Sequence, residues 1–299
     1  MSEQTELCGI IPVFKPEGWT SFDVIAKLRG ILHIRRLGHA GTLDPMATGV
    51  LPVFVGKATK ACDILPDSDK AYIAGFRLGI STDTQDITGK VLSECGDGVT
   101  EGQVLEALGA FRGEIMQLPP MYSAVKVGGK RLYELAREGR EAERQPRKIT
   151  VYEAELREYC EDTREGKLYI SCSKGTYIRT VIHDLGAALG CGGTMTSLCR
   201  VAAAGFALED CFTMEQLSQI PAEQALKPLL TVFEGCTKVR LSEHCTRMYR
   251  NGVKLGCEQA GISRSYEGEF CVTGSGGELL GLTRVDSAEG VIRAVKNFY

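Results

Sequence analysis

Gly38-His39-Ala40-Gly41-Thr42-Leu43-Asp44-Pro45-Met46-Ala47-Thr48-Gly49-Val50-Leu51 is the densest unusual stretch in this 299-residue chain. Its three glycines and its Asp-Pro step exclude a regular helix through the middle. Pro45 pushes the residue before it toward extended backbone, so the Asp44 carboxylate is expected to project from a fixed turn. An Asp-Pro step alone is a common turn former, and His39 alone reads equally well as a satisfied polar residue. Beyond this stretch, Val50 to Val55 reads as a short buried strand, broken by Pro52 and flanked by Gly49 and Gly56.

Upstream, Gly9 to Lys15 reads as a strand and Pro16-Glu17-Gly18-Trp19 as a turn. Thr20-Ser21-Phe22-Asp23 has the form of a capping box, with Phe22, Ile25, Leu28 and Ile31 following at helical spacing. Downstream, Tyr72, Ala74, Phe76 and Leu78 alternate with their neighbours, which predicts a strand over 71–78 with one covered face. A second capping box, Thr100-Glu101-Gly102-Gln103, precedes Val104, Leu105, Leu108 and Phe111 on one predicted helical face. Leu168, Ile170 and Cys172 alternate in a further strand that Gly175 breaks. Tyr177 to Leu189 then reads as a helix ending in Gly190-Cys191-Gly192-Gly193. Strands and helices interleave over the first two-thirds of the chain, so the class is α/β or α+β. From about Val232 the pattern changes to short strands and glycine turns, a small β-rich domain, with Pro221 and Pro228 marking a linker before it.

Hydrophobic residues make up 43% and charged residues 24% of the sequence, which excludes a disordered, collagen-like or solenoid chain. No apolar stretch approaches the ~18–20 residues that cross a bilayer. The start, Met1 to Glu6, is acidic where a signal peptide is basic, so a cytoplasmic protein is expected. The twelve cysteines are scattered, no Cys-x-x-Cys occurs, and the four histidines form no ligand-like pairs. Free thiols and no metal site are therefore expected. The net charge is −3, but Lys126 to Lys148 and Cys236 to Lys254 each carry an excess of basic residues. Basic patches on an acidic body suit localised phosphate contacts, and equally suit solvated faces.

The Gly38–Leu51 stretch resembles the catalytic motif of the TruB family, the bacterial tRNA pseudouridine-55 synthases. Four further stretches agree in order. Lys15-Pro16-Glu17-Gly18-Trp19-Thr20-Ser21 resembles the opening motif. Asp67 to Tyr72 with Thr82 to Gly89 resembles the second block, and Pro119 to Lys126 with Gly129 to Arg137 the RNA-gripping insertion. Gly175-Thr176-Tyr177-Ile178-Arg179-Thr180 resembles the third motif. The match runs from Gly9 to about Phe206. It implies a pseudouridine synthase fold, a central mixed and largely antiparallel sheet flanked by helices, over residues 1–230 with the insertion at about 118–148. A PUA-like β-rich RNA-binding domain is implied over 231–299.

The implied reaction breaks the uridine N1–C1′ bond, turns the uracil and reattaches it through C5. No atom is gained or lost, so no cofactor is expected. The resemblance assigns the carboxylate near C1′ to Asp44, as a nucleophile or as a base toward a sugar proton, and gives Arg179 as its charge partner. Such a partner offsets the rise in pKa that burial imposes on a carboxyl. Tyr72 is implied as the ring beneath the flipped uracil, although alternation alone reads it as a packed strand residue. His39 is implied to fill the vacated stack, and Lys15, Thr42, Asp86, Tyr177 and Leu198 to line the substrate site. For Asp86 a loop-capping role is the equal alternative. Lys126, Lys130, Arg131 and Arg137 are implied to grip the T arm of tRNA, and Arg247 and Arg250 to touch its backbone. The expected protein is a monomer with no membrane and no obligatory protein partner. The run Ser197-Leu198-Cys199-Arg200-Val201 departs from the family's Ser-Leu-Arg-Arg-Thr type. A tRNA chaperone independent of catalysis and a guide-RNA-dependent relative are the competing readings.

Overall fold

The computed structural model describes residues 7–65 and 69–299. The acidic start Met1 to Glu6, and Asp67 and Ser68 of the second resembling block, lie outside the described residues. In chain order the elements are β1 (Gly9–Lys15), α1 (Ser21–Leu32), β2 (Leu37–His39), β3 (Thr48–Val55), β4 (Lys70–Leu78), β5 (Ile80–Thr82), β6 (Val91–Glu94), α2 (Glu101–Gly109), β7 (Gly113–Gln117), β8 (Lys126–Val127) and β9 (Lys130–Arg131). Next come α3 (Leu132–Arg137), β10 (Arg147–Cys160), β11 (Glu165–Cys172), α4 (Ile178–Ala188), β12 (Gly193–Ala203), β13 (Phe206–Ala207), α5 (Met214–Gln219) and α6 (Ala222–Ala225). The chain ends with β14 (Lys238–Arg240), α7 (Glu243–Arg250), β15 (Leu255–Gly256), α8 (Cys257–Ala260), β16 (Glu269–Thr273), β17 (Leu279–Asp286) and β18 (Val291–Asn297).

The chain divides into two compact units. One comprises Met1–Pro45, Val50–Asp67 and Ala204–Tyr299; the other comprises Met46–Gly49 and Ser68–Ala203. β3 therefore belongs to both, with Thr48 and Gly49 in the second unit.

In the second unit β12, β4, β11, β10 and β7 lie side by side in that order, all antiparallel. Thr48 and Gly49 run parallel to Cys199 and Arg200 of β12, which makes the sheet mixed. The predicted alternation holds: Tyr72, Ala74, Phe76 and Leu78 are buried on one face, as are Leu168, Ile170 and Cys172. α4 packs against β12 and α2 against β10. Both predicted capping boxes are present, at Thr20 and Thr100.

In the first unit β1 neighbours β3, and β2 pairs with β3 through Leu37↔Val55 and His39↔Val53. Its core joins Ile11 and Val13 of β1 to Val24, Ile25 and Leu28 of α1. The same unit carries a five-stranded sheet in the order β14-β16-β17-β18-β15. That sheet closes around Phe270, Val272, Leu280 and Ile292, with Cys245 and Tyr249 of α7 packed on it.

Several local expectations are corrected. Phe22 is exposed, because the buried stripe of α1 is Ser21, Val24, Ile25 and Leu28; its ring instead lies 5.8 Å from the Arg29 guanidinium. Leu105 is exposed as well, since α2 buries Val104 and Leu108. The β-rich tail contains α7, which buries only Cys245, Thr246 and Tyr249, too thin an apolar stripe to stand out in the sequence. Pro221 and Pro228 do not punctuate a free linker. They begin short helical turns, and between them Lys227 exchanges backbone hydrogen bonds with Ile10 of β1, at 2.9 and 2.7 Å.

Gly49 has φ +104°, and a Cβ there would sit 2.2 Å from the Arg200 carbonyl oxygen. The first residues of β3 can therefore pair with β12 only if this position lacks a side chain. Gly49→Ala is expected to destabilise the chain by about 2 kcal/mol or more, read as a lowered denaturation midpoint. Cysteine reactivity gives a second check. The Thr163 hydroxyl, hydrogen-bonded to the exposed Cys160, holds that thiol below its ordinary pKa, whereas burial pushes Cys172 up to about 11. Because the thiolate is the reactive form, alkylation at pH 8 followed by peptide mapping should modify Cys160 well before Cys172.

Candidate active site

In the first unit, the opening motif is built around the Asp44 turn. The Ser21 hydroxyl accepts from the Leu43 N–H at 2.9 Å and donates to the Leu43 carbonyl at 3.3 Å. On the other side of Asp44, the Pro45 carbonyl accepts from the Gly18 N–H at 2.9 Å and from Lys15 Nζ at 3.1 Å. Lys15 is fully buried and also donates to the Pro16 carbonyl at 2.9 Å. Both neighbours of Asp44 are thus held by backbone bonds, while Asp44 itself is half-buried and Thr42 exposed. His39 ends β2, half-buried. Lys15, expected to line the substrate site, directs its ammonium to the carbonyls that fix the turn.

In the second unit, register sets the surroundings of Tyr72. It stands across from Ile170 of β11 and from Arg200 of β12, and Arg200 pairs in turn with Gly49. Leu198 pairs with Ala74, two residues along from Tyr72 and on the same buried face. Cys199, where the resembling run has an arginine, pairs with Ile73 and Thr48 and so points to the opposite face from Arg200.

Arg179 lies in the first turn of α4 and its guanidinium joins three segments. It donates to the Thr84 carbonyl and to the Tyr122 carbonyl, each at 2.9 Å, and lies 3.6 Å from the Asp86 carboxylate. Both side chains of that pair are more than nine-tenths buried. Asp86 also caps its own loop, accepting from the Thr84 hydroxyl at 2.8 Å and from the Thr88 N–H and hydroxyl at 3.1 and 2.5 Å. Asp86 thus caps its loop through Oδ1 and faces Arg179 through Oδ2. A neighbouring bond, from Thr180 Oγ1 to Gln85 Oε1 at 2.7 Å, ties the same loop to α4.

Tyr177, at the N-terminus of α4, is placed through its backbone. The buried Gln117 side chain accepts from its N–H at 2.9 Å and donates to its carbonyl at 3.1 Å. Sequence reasoning missed Gln117. The available signal was a polar residue at the end of β7, just before Leu118-Pro119-Pro120. The Thr84 and Tyr122 carbonyls leave no signal, since every residue has one.

The basic residues singled out for RNA are exposed. Lys130 pairs with Glu138 at 3.3 Å and Arg250 with Glu278 at 2.9 Å, while the Arg131 and Arg137 guanidinium groups lie 5.8 and 5.4 Å from the Tyr133 ring centre. Lys126 and Arg247 are surface positions on β8 and α7. Among the described residues, no group of three or more His, Cys, Asp or Glu could hold a metal ion, and no helix is long and apolar enough to cross a membrane.

A model of the TruB family pseudouridylate synthase N-terminal domain matches residues 29–178. The chain belongs to the TruB family. A model of the tRNA pseudouridylate synthase B C-terminal domain matches residues 179–235. The chain is 42% identical over 247 residues to the tRNA pseudouridine synthase B of Clostridium kluyveri, covering 83% of this chain and 85% of that one. Against the protein of the same name from Clostridium novyi the identity is 43% over 248 residues, with the same coverage. Among solved structures, one titled as a Cbf5-Nop10-Gar1 complex superposes with a TM-score of 0.76 at 28% identity, over 97% of this chain and 85% of that one.

Ser21→Ala leaves the buried Leu43 N–H without its acceptor, a loss of about 1–3 kcal/mol. A lower melting temperature is expected, together with a slowed single-turnover rate, while RNA affinity stays close to that of the parent chain.

Proposed function

We propose that this chain isomerises uridine to pseudouridine at position 55 in the T loop of tRNA, as a cytoplasmic monomer without cofactor or obligatory protein partner. The observation that carries the reading is the Asp44 turn, bonded at both neighbours of a carboxylate that is itself half-buried. Backbone fixed on both sides is what a reaction needs when its rate depends on holding one group against one carbon.

The chemistry balances within the substrate. The N1–C1′ bond breaks, the uracil turns, C5 bonds to C1′, the C5 proton leaves and N1 gains a proton. Asp44 is the carboxylate that acts at the sugar. Tyr72 lies under the extruded uracil and its phenol assists loss of the C5 proton, with Leu198 as an apolar wall beside it. Arg179 supplies positive charge for the reaction, and its pair with Asp86, with the Thr84 and Tyr122 carbonyls, orients it. Extruding a base costs a few kcal/mol. His39 offsets that cost by occupying the vacated stack, and Thr42 and Tyr177 complete the substrate contacts.

Affinity for RNA comes from the exposed cations. Lys126, Lys130, Arg131 and Arg137 grip the T arm, and Arg247 and Arg250 touch the backbone beyond it. Exposed ion pairs such as Lys130–Glu138 are weak, so the glutamate exchanges readily for a phosphate, and the grip should weaken steeply with salt. At Lys126 a cavity of about 390 Å³ is also lined by Pro119, Val125, Leu132, Arg144 and Arg147.

The test is an unmodified tRNA transcript carrying tritium at uracil C5, incubated with the purified chain alone. Tritium release mapping to the T-loop uridine, abolished in Asp44→Asn with tRNA affinity nearly intact, is the expected result. Tight, salt-sensitive binding without release would replace this reading with a tRNA chaperone.

A further inference from the structure

The helix that carries Arg179 does not begin on a capping side chain of its own. α1, α2 and α7 start at Thr20, Thr100 and Ser242, each of which accepts from a backbone N–H of its first turn. α4 starts at Tyr177, whose side chain makes no such bond, and its first turn holds no acidic residue. It holds Arg179 instead, a cation at the positive end of the helix dipole, where charge of that sign is disfavoured. Neither the helix start nor the guanidinium is therefore fixed by the local sequence.

Both are held by one segment from elsewhere. Gln117, sixty residues before Tyr177, accepts from the Tyr177 N–H at 2.9 Å through its amide oxygen and donates to the Tyr177 carbonyl at 3.1 Å through its amide nitrogen. That carbonyl also takes the first bonds of the helix, from the Thr180 and Val181 N–H groups, both at 3.1 Å. One amide thus holds both backbone groups of the residue on which α4 begins. Gln117 is itself anchored, its backbone paired with Arg147 of β10 and its side chain buried. Pro119 and Pro120 follow, with φ locked by their rings. Two residues later the Tyr122 carbonyl accepts from Arg179 at 2.9 Å. The short stiff stretch 117–122 therefore grips α4 twice, at its first residue and at the guanidinium two positions on.

We propose that Gln117 is a positioning residue for the isomerisation, pinning the start of α4 and thereby fixing where the Arg179 charge stands. The inference rests on the reading of Arg179 above, as a charge that serves the reaction. An amide suits the position because it offers an acceptor and a donor on one flat group, matching the N–H and the carbonyl of Tyr177. A carboxylate keeps the acceptor and loses the donor, and a thioether of similar length supplies neither. The stretch continues into β8 and β9, whose exposed cations are read as the grip on the T arm, so the element that holds the RNA is rooted on the helix that serves the chemistry. Loss of the amide leaves those cations in place and falls on the chemical step.

The experiment measures single-turnover rate constants and amplitudes on an unmodified tRNA transcript, with tRNA affinity measured separately. The parent chain, Gln117→Met, Gln117→Glu, Arg179→Lys and the chain carrying both Gln117→Met and Arg179→Lys are compared. Gln117→Met should lower the rate constant about ten-fold, the size of the two neutral hydrogen bonds it removes, with affinity unchanged. Gln117→Glu should fall between it and the parent. A merely structural role would leave the rate constant at the parent's value and reduce only the amplitude, and that result overturns the proposal. In the Arg179→Lys background, where the fork that spans the Thr84 and Tyr122 carbonyls is already gone, Gln117→Met should cost little more; losses that multiply also overturn it. Hydrogen exchange supplies the physical half: the first turn of α4 should exchange faster in Gln117→Met, and unchanged exchange there counts against the proposal. Should Gln117→Met fail to fold by thermal melting, Gln117→Glu runs the same cycle. Arg179→Lys at the parent's rate sinks the reading of Arg179 and the positioning role with it, whereas a slow Arg179→Lys beside an unaffected Gln117→Met sinks the positioning role alone.

Discussion

Lys15, at the end of β1, is fully buried and gives its ammonium to the carbonyls of Pro16 and Pro45. A buried charge without such acceptors costs several kcal/mol, so folding of β1 obliges the Pro45 carbonyl to lie where Lys15 can reach it. The Gly18 N–H reaches the same oxygen and Ser21 closes on Leu43 from the other side. The capping box at Thr20 starts α1 at Ser21, which aims that hydroxyl. A strand end, a turn and a helix start thus converge on the two residues that flank Asp44, and the position of that carboxylate follows from them.

The second unit applies the same logic around a cation. Arg179 is placed by the first turn of α4 and consumed by backbone carbonyls from two loops, with Asp86 as its carboxylate within that unit. Asp86 is itself anchored by Thr84 and Thr88, so the pair is over-determined rather than a pair of flexible side chains. A buried ion pair contributes little to net stability, but its geometry is stiff. That stiffness fixes where the Arg179 charge stands within its own unit.

Two populations of cations follow from this architecture. Those of the insertion and of α7 are exposed, and several are paired with glutamates they can exchange for phosphates. Arg179, Arg200 and Lys70 are buried or half-buried, and their charge acts over short range in a low-dielectric setting. The net charge of −3 conceals both groups, since it averages an acidic body with two basic patches.

Local structure was legible in the residues alone, and the family resemblance supplied the residues expected at the site. Thr20 and Thr100 announce their helices because a capping box is a short-range hydrogen-bond pattern, and the strand over Tyr72 to Leu78 shows because alternation repeats every two residues. Asp44 stands out because Pro45 restricts it and the surrounding motif resembles a family's. Tertiary structure decided what each polar group holds. That Lys15 donates to the Pro16 and Pro45 carbonyls is invisible in the sequence, because no residue type reveals a carbonyl partner. Gln117 goes unnoticed, and Arg200 shows only as part of the departing Ser197–Val201 run, for a related reason: each is placed by a segment distant in sequence, Tyr177 for one and the Tyr72 rung for the other. Phe22 was misplaced because helical periodicity marks an apolar residue without saying which side of the stripe packs, and α7 because three buried residues do not make a readable period. Patterns within one turn or one strand are written in the chain, whereas register and long-range hydrogen bonds exist only once distant segments have met.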